Sequence, residues 1–193
     1  METRFAGLIL AGGTGERYGG PKAFARLPDG RMFLAACAEA LASAGAAPLL
    51  ATLPPDAPAL TSPNLQCLPL PASGLAMFDS LRLGLERLLD DPVWEAVVVL
   101  PVDHPLVAPD TVRALVSSDA EAALPSHDGK HGHPVKLSRR VAEAIVAREF
   151  AGPTLRDVLR SVGTADVPVF DPGVTANCNT PDALAAAWKT LGR

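Results

Sequence analysis

Five glycines and two cations crowd one short segment, Gly12-Gly13-Thr14-Gly15-Glu16-Arg17-Tyr18-Gly19-Gly20-Pro21-Lys22. It follows an apolar run, Phe5 to Ala11, that is too short to span a membrane and suits a buried parallel strand. Glycine permits positive φ and close approach of the backbone, so successive N–H groups can converge on one concavity and bind anionic oxygens. Arg17 and Lys22 would meet the charge that those amides leave exposed. The chemistry expected of this segment is therefore phosphate binding.

Two familiar phosphate loops do not fit. A Walker A loop needs Gly-Lys followed by Ser or Thr, whereas Pro21 separates Gly20 from Lys22 and Ala23 comes next. The dinucleotide fingerprint needs a third glycine three residues after Gly15, where Tyr18 stands. A second candidate group lies far along the chain. Asp103 follows the strand-like run Glu95 to Val102, in which Val97, Val98, Val99 and Leu100 are continuous, and ligands of open α/β sheets gather at the carboxyl ends of such strands.

These groups have to be positioned by regular elements. The spacing of Phe33, Leu34, Cys37, Ala40 and Leu41 predicts a helix that Gly45 stops. Pro48 to Leu53 and Leu65 to Leu70 read as strands, and Ala76 to Leu89 as a helix with Leu81, Leu85, Leu88 and Leu89 on one face. A helix over Pro109 to Ser117 and a strand over Ala120 to Pro125 follow. Residues 126 to 135 read as a polar loop, then Arg139 to Phe150 as an amphipathic helix. Thr154 reads as an N-cap with Asp157 completing an imperfect capping box, and Val167 to Phe170 and Val174 to Ala176 read as late strands. The β-α-β alternation predicts a parallel sheet with right-handed crossovers.

Leu10, Ala11, Gly13, Arg17, Gly19 and Lys22 match, position by position, the signature L-A-x-G-x-x-x-R-(aromatic or Met)-G-x-x-K. The segment resembles that of the MobA-like nucleotidyltransferases. Three further segments resemble family elements in the required order: Gly74, Ser80, Leu81, Gly84 and Leu85; Pro101-Val102-Asp103-His104-Pro105-Leu106; and Asn177-Cys178-Asn179-Thr180-Pro181-Asp182. The resemblance implies a three-layer α/β/α fold with a mostly parallel, doubly wound, Rossmann-like sheet of the nucleotide-diphospho-sugar transferase type, formed as a single domain over residues 1–193.

The resemblance also implies roles. Residues Leu10, Ala11, Gly12, Gly13, Thr14 and Gly15, with Arg17, Lys22, Gly74 and Ser80, would bind the nucleotide. Asp103, with Asn179, would hold Mg²⁺, and Arg17, Lys22 and Asp103 would be catalytic. An amide oxygen at Asn179 can ligate Mg²⁺ but adds no charge, so affinity would lean on Asp103 and on the nucleotide. Gly132-His133-Pro134-Val135 resembles a segment of the cytidylyl branch on the acceptor side, which assigns His133 and Asn177 to the acceptor. His104 stands beside Asp103 as an attractive general base, but the family tolerates many residue types there and no role is assigned to it.

The implied activity is Mg²⁺-dependent transfer of a nucleoside monophosphate from an NTP to a phosphorylated acceptor of the molybdopterin type, with release of pyrophosphate. Pro21 and the Gly-His-Pro segment lean towards CTP, which is the favoured base; Gly12-Gly13 and the Asn-x-Asn-Thr-Pro terminus lean towards GTP. Sugar- or polyol-phosphate acceptors remain alternatives. A reading from another class is an accessory protein that delivers cofactor to a molybdoenzyme partner. The Asn pair permits it, and the presence of Lys22 together with Asp103 argues against it.

Composition bounds the rest. The formal charge of −4 argues against a nucleic-acid partner, and 48% hydrophobic with 20% charged residues fits a globular chain. Cys37, Cys67 and Cys178 form neither a disulfide framework nor a zinc motif. No secretory signal or membrane-length apolar run is read, so a cytoplasmic location is expected.

Overall fold

The computed structural model describes residues 3–15, 18–58, 60, 62 and 64–192. Its first strand, β1 (Phe5–Leu10), is buried along its whole length. Helix α1 (Phe33–Ser43) leads to β2 (Leu49–Leu53), and β3 (Gln66–Pro69) precedes α2 (Met77–Leu89). Next come β4 (Ala96–Pro101), α3 (Pro109–Val116), β5 (Ala122–His127), β6 (Lys130–His131), β7 (Val135–Ser138) and α4 (Arg139–Val146). The chain closes with α5 (Leu155–Val162), β8 (Ala165–Pro168) and α6 (Pro181–Thr190).

The strands form one sheet in the order β3-β2-β1-β4-β7-β5-β6, with β8 pairing β5. Strands β3, β2, β1 and β4 run parallel, β7 lies antiparallel between β4 and β5, and β8 is parallel to β5. Successive residues of the central strands serve opposite cores, as the pleat requires. Phe5, Ile9, Val98 and Leu100 pack with α1, α3 and α6. Ala6, Leu8, Val97 and Val99 pack with α2, α4 and α5. The result is the expected three-layer α/β/α architecture with a mostly parallel sheet.

Three expectations are corrected. Residues 126 to 135 are not a loop alone, because β6 forms a short hairpin with β5 and β7 opens at Val135. The signal was hidden because β7 is short and carries a buried lysine. Lys136 is 4% exposed, and its Nζ donates to the carbonyls of Ser118 and Ala120. Val174 to Ala176 is not a strand: Pro172–Val174 is a 3-10 turn whose first amide is capped by Asp171. The helix from Arg139 ends at Val146, four residues early, because Arg148 enters the left-handed region at φ 58. The capping box of α5 proved complete, with Thr154 Oγ1 accepting from the Asp157 amide and Asp157 Oδ2 accepting from the Thr154 amide.

Gly84 shows why α2 can lie flat on the sheet. A Cβ there would stand 2.7 Å from Leu8 Cδ1 and 3.2 Å from Thr52 Cγ2, both on fully buried residues. Among the described residues no helix is long and apolar enough to cross a membrane. Gly84→Val is expected to push α2 off β1 and β2 and to cost about 1–3 kcal/mol. Urea unfolding checks this, as a lower midpoint with an unchanged slope.

Candidate active site

The site is set by the pairing of β1 with β4. Leu10 lies opposite Pro101, and the Val102 amide donates to the Leu10 carbonyl at 3.0 Å, so the glycine loop and Asp103 leave the sheet side by side. The Ala11 amide is taken by the Thr52 carbonyl at 3.1 Å, which removes it from the expected cradle. Among the described residues, the amides of Gly12, Gly13, Thr14 and Gly15 have no such partner. The cradle therefore runs from Gly12 to Gly15.

Two glycines shape this loop. At Gly12 a Cβ would come within 2.2 Å of Leu70 Cδ1, so any larger residue would have to displace the Leu70 side chain. Gly15 has φ +64, and its carbonyl accepts from the amides of Tyr18 at 2.8 Å and Gly20 at 3.3 Å, folding the loop back on itself. The Tyr18 ring meets Phe33 edge to face at 5.7 Å, and burial pushes its phenol up to about 12. Arg17, assigned to the phosphates from the sequence, lies outside the described residues.

Three residues far apart in sequence meet beside this cradle. Lys22 starts the short 3-10 turn Lys22–Phe24, and its Nζ lies 3.4 Å from Asp103 Oδ2 and donates to Asn179 Oδ1. Asp103 is tied to the terminal segment a second time, because its carbonyl accepts from the Cys178 amide at 2.8 Å. Thr180 then caps α6, with Pro181 at the first helical position. Asp103 and Asn179 offer only oxygen, and a cationic ammonium bridges them. A hard divalent cation suits such a donor set, with its remaining positions left to water and phosphate.

Gly13, Thr14, Gly15, Lys22 and Asp103 line a cleft of about 350 Å³, and Leu10 and Met77 line both it and a neighbouring cleft of about 970 Å³. His133 and Asn177, the two expected acceptor contacts, both line the larger cleft. Gly74 and Ser80 line neither cleft. Gly74 lies in an exposed turn at φ +75, while Ser80 is buried beneath Gly12 and its hydroxyl donates to the Ala76 carbonyl.

The structure adds residues that sequence reasoning passed over. His104, left without a role, lines the larger cleft with its ring centroid 4.6 Å from that of His133. Among the described residues, both Nδ1 atoms are buried without a hydrogen-bond partner. Burial lowers the basicity of both rings and brings His133 to about 4. Lys130, Arg156 and Arg160 also line this cleft, and Met77, at the start of α2, is 63% exposed beside it. No pattern marks Met77 in the sequence, whereas the four-residue spacing of Arg156 and Arg160 was a readable sign of one shared helix face.

Comparison with known proteins identifies the family. The profile of the MobA-like NTP transferase domain matches residues 7–167. A molybdenum cofactor guanylyltransferase from Rhodobacter capsulatus is 33% identical over 97% of each chain. Among solved structures, a manganese complex of Rv0371C from Mycobacterium tuberculosis H37Rv superimposes with a TM-score of 0.77 at 23% identity, covering 97% of this chain and all of that one. The 2-C-methyl-D-erythritol 4-phosphate cytidylyltransferase of Thermus thermophilus gives 0.71 at 20% identity over the full length of both. A glycine loop at the end of β1, Asp103 after β4, and Lys22 and Asn179 brought against Asp103 thus occur in a chain that belongs to the MobA-like NTP transferase family and is a nucleotidyltransferase.

Proposed function

We propose that this protein transfers the nucleoside monophosphate of GTP to a phosphorylated acceptor of the molybdopterin type, with Mg²⁺ as its cofactor. The observation that carries the proposal is the meeting of Lys22, Asp103 and Asn179 beside the free amides of Gly12 to Gly15. The guanylyltransferase relative and the Gly12-Gly13 pair favour GTP. The Gly132-His133-Pro134 segment favours CTP, which makes cytidylyl transfer the second reading.

In the reaction an oxygen of the acceptor phosphate attacks the α-phosphorus of the NTP in line. A new P–O bond forms, the bond from the α-phosphorus to the bridging oxygen breaks, and pyrophosphate leaves with that electron pair. The chain's task is positioning and charge stabilisation. The amides of Gly12 to Gly15 cradle phosphate oxygens, and Lys22 turns its ammonium from Asp103 towards them. Asp103 and Asn179 would hold the cation, which supplies charge neutralisation at the reacting phosphates. A divalent ion is also present in the manganese complex of Rv0371C.

A phosphate monoester is already largely ionised at neutral pH, since its second pKa is about 6. No general base is needed. The larger cleft suits the acceptor's body: its floor includes Leu81, Leu124, Leu155 and Leu159, and Lys130, Arg156 and Arg160 also border it. His104 and His133, neutral at pH 7, offer hydrogen bonds there without repelling a cation at Asp103.

Calorimetry with GTP, CTP, UTP and ATP, each with and without Mg²⁺, tests the proposal. GTP is expected to bind with Mg²⁺ dependence that Asp103→Ala abolishes; tighter binding of CTP would establish the second reading. If no NTP binds, or binding ignores Asp103, the transfer reading fails. Lys22→Ala should lower kcat by about 10²–10³-fold, the scale for removing one donor that meets developing charge.

His133 gives a pH test. Its folded value of about 4 lies below the unfolded value of about 6.5. Between the two, the unfolded chain binds the extra proton, so stability falls as pH drops from about 6.5 to about 4. Melting curves should show this slope, and His133→Asn should flatten it.

A further inference from the structure

The short turn Pro172–Val174 touches the segments that carry Asp103 and His133 and leads into Asn177 and Asn179, and one carboxylate holds it there. Asp171 is 7% exposed. Its Oδ2 accepts from the Ala108 amide at 2.8 Å and from Thr111 Oγ1 at 2.7 Å, at the start of α3. Its Oδ1 accepts from the Gly173 amide at 2.9 Å, in its own turn. One side chain therefore joins the segment that follows Asp103 to the segment that leads into Asn177, Cys178 and Asn179.

The turn packs tightly on both sides. A Cβ on Gly173 would lie 2.4 Å from the Leu106 carbonyl oxygen, so this backbone rests on the Asp103–Leu106 loop. The Val174 carbonyl accepts from the His133 amide at 2.9 Å, and a Cβ on Gly132 would lie 2.1 Å from that same oxygen. The Cys178 amide then donates to the Asp103 carbonyl. Asp171 touches neither cleft, yet a shift of its turn would carry Asn177 and Asn179 on one side and displace His133 on the other.

We propose that Asp171 is a positioning residue that fixes the Asn179 oxygen relative to Asp103, and His133 and Asn177 relative to both, by clamping the 172–174 turn to the start of α3. The geometry explains the residue type. A carboxylate has only acceptors to offer, and donors face both of its oxygens. An asparagine can satisfy the two donors of α3 only by turning its NH₂ group towards the Gly173 amide, which unpins the turn. The inference rests on the oxygen-donor cation site proposed above only for its effect on metal and rate; the clamp itself is tested without it.

Asp171→Asn and Thr111→Val, which removes one donor but keeps both amide contacts, are compared with the unmodified protein. Hydrogen exchange over residues 172–180 and 103–111 reads the clamp directly. Binding of Mn²⁺ alone, followed by electron paramagnetic resonance, and the kcat and KM of NMP transfer read its consequence. Asp171→Asn, folded by circular dichroism, is expected to exchange faster in both segments and to lose about tenfold to a hundredfold in Mn²⁺ affinity, the range for groups that orient metal ligands. Its kcat should fall while KM for the NTP stays within about twofold, because the cradle of Gly12 to Gly15 is untouched.

Thr111→Val is expected to melt earlier yet to keep its Mn²⁺ affinity within about twofold, which separates lost stability from lost positioning. Unchanged exchange in Asp171→Asn would overturn the proposal. So would faster exchange with unchanged Mn²⁺ affinity and kcat. If the unmodified protein binds no Mn²⁺ while Asp171→Asn still exchanges faster in both segments, the clamp stands and the cation site is what fails.

Discussion

The parallel register of β1 against β4 is the constraint on which the rest depends. Six consecutive pairs, from Phe5 with Ala96 to Leu10 with Pro101, bring both strands to the same level at their carboxyl ends. The chain must leave the sheet there, and its next backbone groups lose ladder partners. At Ala11 and Val102 the ladder continues for one more bond each, and beyond that point the amides of Gly12 to Gly15 have no backbone partner among the described residues. A concavity lined by backbone amides, of the kind that suits phosphate, is thus what remains when a buried parallel strand ends in residues small enough not to fill it.

Charge around that concavity is paired. Lys22 satisfies Asp103 and Asn179, so a partly buried carboxylate is not left alone and the amide oxygen has a donor. In the proposed reaction a nucleotide phosphate would give Lys22 a new partner, and a divalent cation would give one to Asp103 and Asn179.

The larger cleft follows a different rule. Its floor comes from residues that also complete the α2 and α5 side of the core, and its polar groups are neutral imidazoles and an amide with cations at the border. Burial keeps His104 and His133 uncharged, so the reacting end of the site holds a single cationic side chain, Lys22, among the described residues. Segments 103–108, 132–134 and 171–179 converge at this junction through backbone hydrogen bonds to one another. Backbone contacts of this kind carry no side-chain pattern.

The sequence by itself determined the layers of the fold and pointed to most residues of the candidate site. Apolar runs of β length, helical periodicities, the glycine loop with Lys22, and Asp103 after a Val-rich strand are local signals, because each follows from neighbours within a few residues. What only the tertiary structure decided is what long-range contact creates. Strand β7 was invisible because Lys136 finds its carbonyl partners on another segment, Ser118 and Ala120. Val174 to Ala176 read as strand because the bonds that fix the preceding turn run from Asp171 to Ala108 and Thr111, some sixty residues away. The partnership of Lys22 with Asn179, the His104–His133 contact and the exposed Met77 between two clefts have the same origin. Local pattern states which residues must be buried or capped, and only the closed sheet states which of them meet.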